Sequence, residues 1–69
     1  MQLIPVNSDT IKMIGYDEST KEIYIDFYHE VRAYGPYPRD FFDQFLNHPN
    51  KDLFYSGNFS GKWGRILHW

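Results

Sequence analysis

Glu22-Ile23-Tyr24-Ile25-Asp26-Phe27-Tyr28 alternates apolar and polar side chains with a period of two. Ile23, Ile25 and Phe27 share one face and Tyr24, Asp26 and Tyr28 the other, the pattern of a β-strand with one face on a core. Upstream, Thr10-Ile11-Lys12-Met13-Ile14-Gly15-Tyr16 reads as a second strand. The polar Asp17-Glu18-Ser19-Thr20-Lys21 between them has the composition of a hairpin loop. Downstream, Val31-Arg32-Ala33-Tyr34 returns antiparallel after a turn at His29-Glu30. That turn places Phe27 opposite Arg32 and Ile25 opposite Tyr34. Neither His29 nor Glu30 readily takes the positive φ of a tight hairpin turn.

Gly35-Pro36-Tyr37-Pro38 ends the sheet, and Pro38 suits the first turn of a helix, where its missing N–H has no partner to lose. Phe41, Phe42, Phe45 and Leu46 then form one apolar stripe, with Arg39, Asp40, Asp43, Gln44 and Asn47 toward water. Pro49 stops the helix because the residue before a proline is driven out of the helical region. Asn50 caps a further short turn through Leu53-Phe54-Tyr55. Three glycines make 56–64 irregular, and Arg65-Ile66-Leu67-His68-Trp69 is either a terminal strand or a docked tail. The expected architecture is α+β: a small three-stranded antiparallel β-meander with one amphipathic helix packed on one face, plus a short helical turn and a C-terminal tail.

At 69 residues the chain reads as one domain. So small a domain buries only about 60% of its unfolded surface. Cysteine is absent, so disulfides, thiolate metal sites and thiol nucleophiles are excluded. Instead, six Phe, six Tyr and two Trp supply large core side chains, each able to bury ~150–250 Å². The N-terminal residues lack a basic start and a long apolar run, so no signal peptide is expected. No stretch reaches the ~18 apolar residues of a membrane helix. A cytoplasmic location without a membrane partner is therefore expected, and Asn58-Phe59-Ser60 is taken as a chance glycosylation sequon.

Ser8-Asp9-Thr10-Ile11, Ile14-Gly15-Tyr16-Asp17, Ile23-x-Ile25-x-Phe27, Tyr34, Pro38, Phe42, Phe54-Tyr55 and Phe59-x-x-x-Trp63 together resemble the KTSC domain. That family is a short module found alone in small bacterial and viral proteins and at the C-terminus of some lysyl-tRNA synthetases. The resemblance covers roughly residues 6–63 of a single domain spanning 1–69, with 64–69 as an extra tail. It implies an RNA-binding role, suggested by the attachment to a synthetase. It also implies a viral inhibitor or sponge as an alternative, since standalone members are often viral. This chain departs from the pattern at Arg32, where the family has the first tyrosine of Tyr-x-Tyr, at Ser56, where it has asparagine, and at Trp63, where it has tyrosine.

Enzymatic chemistry finds no constellation. His29, His48 and His68 fall in a turn, at a helix end and in the tail, with no helical metal-pair spacing, so no metal or cofactor is expected. Asp40 and Asp43 match the helix dipole. Gly57-Asn58-Phe59-Ser60-Gly61-Lys62-Trp63 is one residue short of a phosphate loop and ends in Trp63 where Ser or Thr is needed.

The C-terminal quarter carries the binding chemistry. Residues 1–50 hold a net charge of −4, whereas Lys51, Lys62 and Arg65 against Asp52 give 51–69 a net +2. Those cations interleave with Phe54, Tyr55, Phe59, Trp63 and Trp69, and with the hydrogen-bonding Asn58. Single-stranded nucleic acid is held by that combination, rings stacking on bases while cations track phosphates. The candidate ligand-binding set is Arg32, Tyr34, Tyr55, Asn58, Lys62, Trp63, Arg65 and Trp69. The competing interpretation is that the same rings are simply core. A protein partner or a nucleotide-derived ligand is the other binding class, because aromatic residues and Arg are also what interfaces favour. Finally, Tyr24, Tyr28, Val31 and Ala33 give the second sheet face an apolar character that predicts homo-oligomerisation.

Overall fold

The computed structural model describes residues 3–62 and 64–67. The order of elements is β1 (Leu3–Pro5), β2 (Met13–Asp17), β3 (Glu22–Asp26), β4 (Val31–Tyr34), α1 (Arg39–Asn47), α2 (Lys51–Asn58) and β5 (Arg65–Leu67). All five strands form one antiparallel sheet in chain order. The expected three-stranded meander with one helix is therefore corrected to a five-stranded sheet with two helices, still α+β. The central three strands, β2 to β4, are those the alternation predicts.

Both additional strands are three residues long and lie at the sheet edges, where periodicity carries little signal. In β1, Ile4 pairs with Ile14 and Pro5 with Met13. Proline is tolerated there because an edge strand has one side with no ladder to donate to. In β5, Ile66 pairs with Arg32 and Arg65 with Ala33. The segment expected to be a strand from Thr10 begins only at Met13. Before it, the Ser8 hydroxyl accepts the Ile11 amide at 3.1 Å and donates to Asp52 Oδ1 at 2.7 Å.

The β3–β4 turn also differs from expectation. It centres on Tyr28 and His29, and Phe27 donates its N–H to the Glu30 carbonyl at 2.8 Å. Tyr28 adopts φ 76°, a conformation unfavourable for a bulky residue. The Asp26 carboxylate supports it by accepting the Tyr28 amide at 2.9 Å. Ile25 consequently faces Arg32, and Ile23 faces Tyr34. This register is two residues away from the expected one, and a two-residue shift leaves every side chain on its original face. Ile23 and Ile25 thus keep their predicted core positions despite the register error, whereas Phe27 lies beyond β3 and is half-buried.

The core is the helix-side face. Ile11, Ile14, Ile23, Ile25, Phe45 and Phe59 are fully buried, with Tyr34 and Phe42 nearly so. Phe42 is the deeply buried member of its adjacent pair, while Phe41 and Phe27 pack at the margin. Phe45 stacks on Phe54 at 4.9 Å between centroids, and Phe59 meets the rings of Tyr34, Tyr37, Phe41 and Phe45. Pro38 stands just before α1 and gives it no side-chain cap, whereas Asn50 Oδ1 accepts the Leu53 amide at 3.0 Å to start α2. The short turn expected there is a full eight-residue helix that runs through Gly57. Glycine inside a helix costs about 1 kcal/mol, and burial of Phe54 and Phe59 at this end outweighs it. Among the described residues no helix is long and apolar enough to cross a membrane.

Tyr24, Val31 and Ala33 on the opposite face are buried within the single chain, and only Tyr28 is strongly exposed, at 62%. The register places Tyr24 between Gly15 and Ala33, with Arg65 next in the row. The apolar surface on which homo-oligomerisation was expected is therefore largely absent from the exterior.

Candidate functional site

Register sorts the predicted site residues before any side chain is considered. Arg32 lies in the row Ile25–Arg32–Ile66 and Tyr34 lies opposite Ile23, so both point to the helix side. Arg65 lies in the row Tyr24–Ala33–Arg65, which faces the other way. The two arginines therefore leave the sheet on opposite faces.

Their partners follow from that separation. Arg32 donates through Nε to the Glu30 carboxylate, two residues earlier on the same face of the chain. This bond raises the Arg32 pKa, with the Tyr34 hydroxyl a smaller contributor. Arg65 donates to Glu22 Oε1 at 2.8 Å, and that carboxylate, helped by the Tyr24 hydroxyl, raises its pKa in turn. Lys62 is exposed. No carboxylate lies within ion-pairing distance of its ammonium among the described residues.

The aromatic members serve the core. Tyr34 is 2% exposed, and its hydroxyl lies 3.2 Å from that of Tyr55 on α2. Burial first, and the Tyr55 hydroxyl second, push the Tyr34 phenol up to about 12. Tyr55 is half-buried and packs edge-on to Phe27 at 5.2 Å. The Asn58 amide is turned back onto its own helix, donating to the Phe54 carbonyl at 3.0 Å. Phe54 and Phe59 are buried. The platform of exposed rings expected from the sequence is thus not formed by Phe54, Phe59 or Tyr34. Trp63 and Trp69 lie outside the described residues.

Arg32, Lys62, Gly64, Arg65 and Ile66 nevertheless line one hollow of about 360 Å³ beside the β4–β5 pair. Gly64 packs tightly beneath it: a Cβ at that position would come within 2.7 Å of Tyr34 Cζ and 3.1 Å of its hydroxyl oxygen. Main chain therefore lies directly against the Tyr34 phenol, with Ile66 48% exposed nearby. Nothing in the sequence pattern singles out Gly64 or Ile66 for this hollow. The Glu30-x-Arg32 spacing is a usable signal, since positions two apart on a strand share a face.

A second hollow of about 360 Å³ lies near β1 and the β2–β3 loop, lined by Ile4, Tyr16, Asp17, Glu18, Arg39 and Phe42 among others. There Arg39 sits 5.7 Å from the ring centroids of Tyr16 and Phe42, and bonds Glu18 at 3.2 Å and Asp43 at 3.3 Å. Its lining carries two carboxylates, Asp17 and Glu18, against the single Arg39 guanidinium. No group of three or more His, Cys, Asp or Glu side chains is placed to hold a metal among the described residues. Comparison with protein-family models and with curated proteins finds no match to this chain.

Proposed function

We propose that this chain is a small, non-enzymatic binding module for single-stranded nucleic acid, docking at the Arg32–Lys62–Arg65 hollow. The observation that carries this reading is that Arg32 and the exposed Lys62 line one hollow in a chain whose net charge is −2, while Arg65, also on its lining, is held by Glu22. Ile66, 48% exposed, adds an apolar surface beside these cations, which suits the face of a base next to a phosphate. The KTSC resemblance points the same way, although the tyrosine that Arg32 replaces removes one ring from that pattern.

Charge limits the strength of such binding. Arg32 and Arg65 each already hold a carboxylate, leaving Lys62 as the cation with no carboxylate beside it among the described residues. Each phosphate neutralised on a single strand contributes about −0.7 to the slope of log affinity against log salt. Engagement of one to three cations predicts a slope between about −0.7 and −2. Fluorescence anisotropy of a short labelled single strand at ~50 and ~200 mM salt measures it. Lys62→Glu should abolish the signal. Absence of binding at the lower salt, where the electrostatic contribution is greatest, would overturn the proposal.

A further inference from the structure

We infer that the hollow accepts a single nucleotide unit, and that its phosphate replaces the Glu30 carboxylate on Arg32. This rests on the nucleic-acid reading above and adds to it the size of the ligand and the residue that competes with it.

Size comes first. Small-molecule sites run from ~300 to ~1,000 Å³, and about 360 Å³ lies at the bottom of that range. One base with its sugar and phosphate is the scale of ligand such a volume encloses. The width of a duplex is far greater.

Charge then places the phosphate. Lys62 is the lining cation with no carboxylate beside it among the described residues, and Arg32 lines the same hollow. A guanidinium presents a planar fork that matches carboxylate and phosphate oxygens equally well. Glu30 holds that fork through Nε, so it occupies Arg32 as an internal anion. An incoming phosphate gains both Arg32 and Lys62, whereas Glu30 reaches Arg32 but not Lys62. The exchange therefore favours a ligand that bridges the two cations. Arg65 is directed to the other face and stays with Glu22, so it does not take part in the exchange.

Adenosine 5′-monophosphate is the probe, with adenosine and inorganic phosphate as controls, in competition with the labelled single strand. The mononucleotide should displace the strand, and its addition should shift the Lys62, Gly64 and Ile66 amide resonances. Adenosine alone should do neither. Glu30→Gln removes the competing charge while keeping the main-chain bond from Phe27. It should tighten both ligands about three- to tenfold, the scale of one ordinary net hydrogen bond, and steepen the salt slope by about 0.7. Adding Arg32→Gln to Glu30→Gln should cancel that gain. If the single strand binds but the mononucleotide fails to displace it, or Glu30→Gln leaves affinity unchanged, this inference falls while the nucleic-acid reading stands. If neither ligand binds, both fall.

Discussion

Gly64 and Tyr34 are in direct contact, main chain against phenol ring, with no room between them for a single methyl group. The ring cannot withdraw, because it is buried on β4, packs against Phe59 at 5.0 Å and holds Tyr55 through its hydroxyl. The contact sets where the chain enters β5, and therefore where Ile66 meets Arg32.

Gly64→Ala should accordingly destabilise the domain by about 1–3 kcal/mol, the range for forcing extra volume into a packed site. For a chain of this size each 1 kcal/mol corresponds to roughly 4–8 °C in Tm. Thermal unfolding by circular dichroism reads the shift directly. An unchanged Tm would mean that the main chain at Gly64 moves freely away from Tyr34, and the β5 register would then need revision.

Tyr34 makes the alkaline limb of stability informative. Its phenol is pushed up to about 12, from an ordinary value of 10.0. Below 10.0 the folded and unfolded chains both keep the proton. Between 10.0 and about 12 the unfolded chain releases it while the folded one retains it, so stability declines across that window. A tyrosinate absorbance titration should show a late step near 12 that Tyr34→Phe removes. A variant whose titration superimposes on the parent's would show that Tyr34 is not the late-titrating group.

At the acid end the corresponding group is Asp52. The Thr10 hydroxyl, and then that of Ser8, hold its carboxyl below the ordinary value of 3.8. That stabilisation is fully present above 3.8 and is lost as pH falls through the lower folded value. Asp52→Asn should lower Tm at neutral pH and flatten the decline below 3.8. A Tm profile that keeps the parent's acid limb would place the effect elsewhere. The interaction also gives Ser8 and Thr10 a structural role, since they tie the segment before β2 to the start of α2.

The central sheet and the first helix are legible in the sequence from periodicity alone. Ile23 and Ile25 alternate along one strand, and Phe42 and Phe45 recur at helical spacing, so their burial follows from local geometry whatever the rest of the chain does. The same logic protects the core against the misplaced turn, because a two-residue slip preserves face. Tyr28 is not expected at the turn because its positive φ runs against its own preference and is supported by Asp26.

Tertiary structure alone decided the edges and the site. β1 and β5 are too short to show a period, and they exist because β2 and β4 offer them unpaired edges. Whether Phe54, Phe59 and Tyr34 stack on a ligand or on one another was undecidable from their identities, since a ring suits both environments. Burial by two helices settled that they pack together. The sign of the charge near the C-terminus was written in Lys62 and Arg65. That Arg65 turns away to Glu22 while Arg32 joins Lys62 was not, because the face on which a strand residue points depends on a pairing partner more than thirty positions distant.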